Sequence, residues 1–139
     1  MAKTVRVRWV EKLQFVGSGS NKHSIVMSSQ DEENNTGMSP GQLLLVALGG
    51  CTAYDVVDIL HKKRQQLTRL EVTVTGEQEP DPPWPYRKIH IQYVVQGKGL
   101  GEKAVHDAIE LSEQKYCSVA ATLRSAAEIT YEYTIVEEE

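Results

Sequence analysis

The chain has 139 residues, 40% of them hydrophobic and 24% charged, and its 15 Lys and Arg against 19 Asp and Glu leave a net charge of −4. That length predicts one domain over residues 1–139, able to bury roughly two thirds of its unfolded surface without a covalent staple. The acidic balance argues against nucleic acid as the main partner, because phosphate binding needs a basic face.

The chain opens on MAKTVRVRWVEK, where Val5, Val7 and Trp9 alternate with Arg6, Arg8 and Val10. This is the period of a half-buried strand and not of an apolar leader, so it predicts no signal peptide and a cytoplasmic location. LQFV and HSIVM read as two more strands around the turn formers GSGSNK. The polar stretch SSQDEENNTGM follows as a loop long enough to be mobile.

Ser39 then carries the start signals of a helix. It fits the N-cap, Pro40 the first helical position and Gln42 the third, a capping box of the Ser-x-x-Gln type. From Leu43 to Val57 the helix is apolar on nearly every side, which predicts burial on most sides. Asp55, Asp58 and an internal Gly-Gly argue against a membrane span. The basic text HKKRQQ suits the negative end of the helix dipole. LEVTVTGEQ and KIHIQYVVQG read as strands around EPDPPWPYR, a stiff loop holding four of the five prolines. Trp84 and Tyr86 there could wall an apolar cleft. GLGEKAVHDAIELSEQ fits an amphipathic helix, with Val105, Ala108 and Ile109 on one face and Ser112 one turn on. CSVAATLRSAA fits a short helix starting near Cys117, and EITYEYTIVEE a last strand. The order β-β-β-α-β-β-α-α-β is α+β with mostly antiparallel pairing.

GKGLGEK (Gly97–Lys103) lacks the Gly-Lys-Ser/Thr ending of a phosphate loop. His23, His61, His90 and His106 are scattered with no metal-ligand spacing, so neither a metal nor any other cofactor is expected. The chemistry rests with the two cysteines. Gly49 and Gly50 each cost a helix about 1 kcal/mol relative to alanine, unless close packing against that turn compensates. Cys51 follows them at what should be a tight junction. It could be a small buried hydrophobe, half of a structural disulfide worth roughly 4 kcal/mol, or a reactive thiol. Cys117 lies where a helix begins, which would lower a thiol's pKa.

SPGQLLLVALGGCTAYDVVDIL and EQKYCSVAATL together resemble the OsmC/Ohr family of osmotically induced and organic-hydroperoxide-resistance proteins. The likeness is closest to its YhfA-like branch, with Ser-Pro-x6-Ala-x-Gly-Gly-Cys and a later Lys-Tyr-Cys-Ser-Val. The resemblance spans nearly the whole chain. It implies an OsmC-like fold in an intertwined homodimer, with antiparallel sheets wrapped around central helices that Gly49 and Gly50 let meet. It further implies that Cys51 attacks a small hydroperoxide and becomes a sulfenic acid, that Cys117 resolves it to a disulfide, and that a dithiol such as a lipoyl group reduces the bond. The family's activating arginine and the glutamate that holds it are not matched. Gly41 stands at the glutamate position, no arginine occurs between Arg8 and Arg64, and Lys22 and His23 lack the planar guanidinium fork. This departure points to a redesigned site, or to a non-catalytic binding or redox-sensing protein. Asp55, one turn after Cys51, would raise a thiol's pKa and is expected to hydrogen-bond or pair with a charge. Tyr54 could donate to a thiolate or peroxide.

Overall fold

A computed structural model describes residues 1–139. The chain divides into two compact units, Met1–Leu44 and Leu45–Glu139. The first holds β1 (Val5–Glu11), β2 (Gln14–Gly19) and β3 (Ser24–Ser28), an antiparallel sheet in that order. The β2–β3 turn is closed by Gly19 N–H donating to His23 O and by the Asn21 carboxamide oxygen accepting from His23 N–H. The polar loop after β3 is not loose: it is knit by its own hydrogen bonds. Buried Ser28 Oγ accepts from the N–H groups of Thr36 and Gly37, each at 3.1 Å. Asn34 Nδ2 donates to Asp31, and Asn34 Oδ1 accepts from Leu13 N–H. Short polar side chains in such a loop bind its backbone in place of a sheet partner.

Helix α1 (Pro40–Lys62) begins as the sequence predicts. Ser39 Oγ accepts from Gln42 N–H and Gln42 Oε1 accepts from Ser39 N–H, both at 3.2 Å, and His61 and Lys62 occupy the last turn. The helix is long and apolar enough to cross a membrane by length and composition. Its burial departs from the expectation. Only the stripe Leu48, Gly49, Thr52, Val56 and Leu60 is fully buried, while Val46 is 50% and Tyr54 73% exposed. One sheet covers one side of a helix, and the second unit holds no other layer for the opposite side.

That sheet is β4 (Gln66–Gln78), β5 (Tyr86–Lys98) and β6 (Glu128–Glu137), with β5 in the centre. Along β5 the residues Ile89, Ile91, Tyr93 and Val95 all face inward and are buried. Opposite them stand Gly76, Val74, Val72 and Leu70 of β4, and Ile129, Tyr131, Tyr133 and Ile135 of β6. This is the period-2 ladder of one buried sheet face. Three of the strand pairs in the molecule are antiparallel, but β5 and β6 run parallel. Their connection passes through α2 (Glu102–Leu111), a π-helical turn (Ser112–Tyr116) and α3 (Ser118–Leu123), the kind of crossover that parallel neighbours require. From α2, Val105, Ala108 and Ile109 complete the core.

Candidate active site

Three elements of the second unit meet at the cysteines. The turn of α1 that contains Gly49 lies close on β4. A Cβ added to Gly49 would stand 3.1 Å from Val74 Cγ2 and 4.0 Å from Val72 Cγ1. Within one chain the close approach at Gly49 is thus to the sheet, whereas a Cβ at Gly50 would meet nothing within 4 Å. Thr52 then points into the core and Cys51 lies half-buried beside it.

The second cysteine is delivered by a local change of helix. The amphipathic pattern predicts one helix through Gln114, but α2 ends at Leu111 and widens into the π-helical turn. The turn closes with Cys117 N–H donating to Ser112 O at 2.9 Å. Such a widened turn rotates the residues after it relative to an α-helix, a device frequent at functional sites. It aims Ser112 and Glu113 inward and leaves Cys117 as the N-cap of α3, where its Sγ accepts from Ala120 N–H at 3.3 Å.

The outcome is a cluster in which Cys51 Sγ, Cys117 Sγ and a carboxylate oxygen of Asp55 all lie within 4.8 Å of one another. Both thiols are free. They differ in access, for Cys117 is only 3% exposed. The helix start does not lower its pKa, as the sequence suggests it should. Burial first, and then the Cys51 thiol beside it, push the Cys117 thiol up to about 12; the Ala120 N–H pulls weakly the other way and Asp55 adds a small further rise. Loss of solvation outweighs a single N–H donor when a thiol is this deep. Cys117 therefore keeps its proton at neutral pH, and Cys51 is the sulfur a solute can reach.

Beneath the sulfurs runs a buried chain of hydroxyls between two carboxyl groups. Ser112 Oγ donates to Asp55 Oδ2 at 2.8 Å, and Tyr93 OH donates to Glu113 Oε1 at 2.6 Å. Thr52 Oγ1 sits between them, 3.0 Å from Ser112 Oγ and 2.5 Å from Tyr93 OH. With one proton per hydroxyl, the protons of Ser112 and Tyr93 are already committed, so Thr52 has a single proton to donate to one of the two neighbouring hydroxyls. Burial, and then the bond to Glu113, push the phenol's pKa well above its ordinary value, which keeps Tyr93 a donor. Arg124 Nη2 donates to the Glu113 carbonyl and ties the π-helical turn to the end of α3.

Asp55 accordingly takes a hydrogen bond, one of the two roles expected of it. Tyr54 does not join the site. It stands out from the opposite side of α1, beside Gly50, Ala53, Val57, Asp58 and His61. The phenol at the site is instead Tyr93, which the cysteine motifs could not indicate. Trp84 is exposed in its hairpin, while Tyr86 covers Gly76, where its ring would lie 2.7 Å from an added Cβ. His90 lies on the outer face of β5, bonded to Thr130 and Glu132.

The family model described as OsmC-like protein matches residues 32–132, a span that contains both cysteines. The chain belongs to the OsmC-like family. It is similar to protein YhfA of Escherichia coli K12, with 40% identity over 131 residues that cover 94% of this chain and 96% of that protein. A crystal structure of a hypothetical protein from Aquifex aeolicus is 30% identical and superposes with a TM-score of 0.89 over 100% of this chain and 99% of that one. The organic hydroperoxide resistance protein OhrB of Bacillus subtilis shares the fold, with a TM-score of 0.63, 13% identity and coverage of 96% and 98%. Within this OsmC-like chain the first turn of α1 offers Gly41 where the resemblance leads one to look for a glutamate, and Lys22 and His23 lie at the β2–β3 turn of the first unit.

Proposed function

We propose that this chain is a thiol-dependent peroxidase-like protein that reduces organic hydroperoxides or hydrogen peroxide. One observation carries the reading: two sulfurs far apart along the chain lie within 4.8 Å, one reachable and one deep. The hydroperoxide-resistance proteins that share the fold favour the same substrate class. In the first step the Cys51 thiolate attacks the outer peroxide oxygen. The O–O bond breaks, sulfur is oxidised to a sulfenic acid, and the alkoxide takes a proton from solvent and leaves as the alcohol. Cys117 then attacks that sulfur. An S–S bond forms, the S–O bond breaks, and the hydroxyl departs with the Cys117 proton as water. An external dithiol, such as a lipoyl group, reduces the disulfide by two exchange steps and is itself oxidised. The resolving sulfur must come to roughly 2 Å, a movement that side-chain rotation can supply between neighbours.

The proposal includes a homodimer in the cytoplasm. Its support is apolar surface that a single copy leaves open: Trp9 is 68% and Val7 58% exposed on the first sheet, and Val46 and Tyr54 project from α1. Exposed apolar surface of this kind is what an interface between copies covers. On this view α1 is a subunit-interface helix and not a membrane span, in keeping with Asp55 and Asp58 in its second half.

Peroxide consumption with dihydrolipoamide as reductant tests the cycle. Wild type is expected to turn over and Cys51→Ser to lose activity; equal rates would defeat the proposal. Gly41 and the absence of arginine between Arg8 and Arg64 favour a second reading, a redox-sensing or small-ligand-binding protein. Stopped-flow oxidation of Cys51 read beside the turnover assay separates the two, because a sensor oxidises without sustained turnover when the dithiol is supplied.

A further inference from the structure

Beside the two cysteines stands a third donor, Asp55, that the peroxide cycle does not use. Cys51 and Cys117 offer two thiols that can bind as thiolates once a metal displaces their protons, and Asp55, one turn along α1 from Cys51, offers a carboxylate oxygen, all within 4.8 Å of one another. We propose that the reduced protein binds one zinc ion per chain through Cys51, Asp55 and Cys117, with water in the fourth position.

Two thiolates select a soft or borderline cation over magnesium or calcium, and two sulfurs, an oxygen and a water make a set that tetrahedral zinc accepts. Zinc–sulfur bonds of about 2.3 Å in a tetrahedron place the sulfurs about 3.8 Å apart. From separations of at most 4.8 Å the donor atoms need to draw in by no more than about 1 Å, within reach of small side-chain rotations. The surroundings already have the form of an outer shell around such an ion. Ser112 Oγ holds the Asp55 carboxylate at 2.8 Å, and Ala120 N–H points at Cys117 Sγ from 3.3 Å. Groups in these positions orient ligands and support a thiolate's charge. Cys51 and Asp55 are only half-buried, so solvent reaches this side of the trio. Binding moves no electrons: each thiol gives its proton to solvent as its sulfur joins the metal. Histidine spacing gives no hint of this site, because its ligands come from two elements that meet only in the fold.

The site stands on geometry and does not rest on the peroxidase reading, so it is tested without peroxide. Reduced protein is titrated with zinc by calorimetry and with cobalt(II) by absorbance. One zinc per chain is expected, with a thiolate-to-cobalt charge-transfer band and the intense visible bands of a tetrahedral ion. Ser112→Ala, which removes the outer hydroxyl on Asp55 and leaves all three ligands in place, should weaken binding about 10–100-fold. Asp55→Asn should weaken it further, and the Cys51→Ser/Cys117→Ser variant should not bind. Wild type alkylated at Cys51 gives the same control without a change of sequence. Unchanged zinc affinity in the double variant or the alkylated protein, or a cobalt complex with no thiolate band, would overturn the proposal. Either result leaves the turnover assay free to succeed or fail by itself.

Discussion

The two units of this chain use apolar residues in opposite ways. In Leu45–Glu139 they form a closed core, from Leu48 and Val56 on α1 through Ile89, Ile91, Tyr93 and Val95 on β5 to Val105 and Ile109 on α2. In Met1–Leu44 the buried residues are the polar Ser28 and Asn34, while Val5, Val7, Trp9, Val10, Leu13 and Ile25 are exposed. The first sheet has the alternation of a half-buried strand and nothing within its own unit to be buried against. An apolar pattern reports that a face needs cover; it does not report that the same copy of the chain supplies it.

The strongest test of this contrast sets one substitution in each unit side by side. Ile91→Ala removes a fully buried side chain from the centre of the second sheet and should cost about 2–5 kcal/mol at any protein concentration. Val7→Asp changes an exposed residue, so in an isolated chain it should cost almost nothing. If a second copy covers that face, Val7→Asp should instead lower the mass seen by light scattering from twice 15.5 kDa toward 15.5 kDa. Its apparent stability should then depend on concentration. A wild type that scatters as a single chain at micromolar concentration would remove the dimer from the account.

A smaller effect probes what the core of the second unit holds up. Thr52→Val keeps the shape of a buried side chain but removes the hydroxyl that stands between Ser112 and Tyr93. Leaving a buried polar network unsatisfied costs about 1–3 kcal/mol, to be read from urea unfolding. A loss of that size would show that the hydroxyl chain stabilises the floor of the site. A neutral result would mean that Ser112→Asp55 and Tyr93→Glu113 suffice as separate pairs.

How much of this could be read in advance follows from which interactions are local. The Ser39–Gln42 capping box is written in four adjacent residues, and both of its hydrogen bonds form. The ladder Ile89, Ile91, Tyr93 and Val95 is legible from its alternation alone. The parallel pairing of β6 is less so, because strand text is the same in either direction and the connection decides. The π-helical turn left one trace: Ser112 falls where the amphipathic pattern wants an apolar residue. Tyr93 left another, since a phenol on the core face of a strand needs a partner. That partner, Glu113, belongs to a different element, and no spacing rule relates them. The same limit explains Tyr54. Sequence distance placed it within reach of Cys51, but the helix turns it to the outer side.

The last contrast is in pH. Asp31 in the first unit is held below the ordinary carboxylate range, chiefly by the Ser29 hydroxyl and then by Asn34. The stabilisation from these bonds is present above 3.8 and is lost as pH falls below it, so this exposed loop loosens in acid. Cys117 in the second unit works at the other end, its pKa raised from 9.0 to about 12. Below pH 9.0 the folded and unfolded chains both keep the thiol proton, and stability is undiminished. Between 9.0 and about 12 only the unfolded chain releases it, and stability falls as pH rises. Cys117→Ala removes that titration. At pH 10 the wild type should have lost on the order of 1 kcal/mol more than the variant, relative to their difference at pH 7. Unfolding curves for the two proteins that stay parallel from pH 7 to 10 would mean that the sulfur meets solvent, and the deep resolving thiol would go with it. Asp31→Asn should shift only the acid side, by less, and leave the alkaline side unchanged.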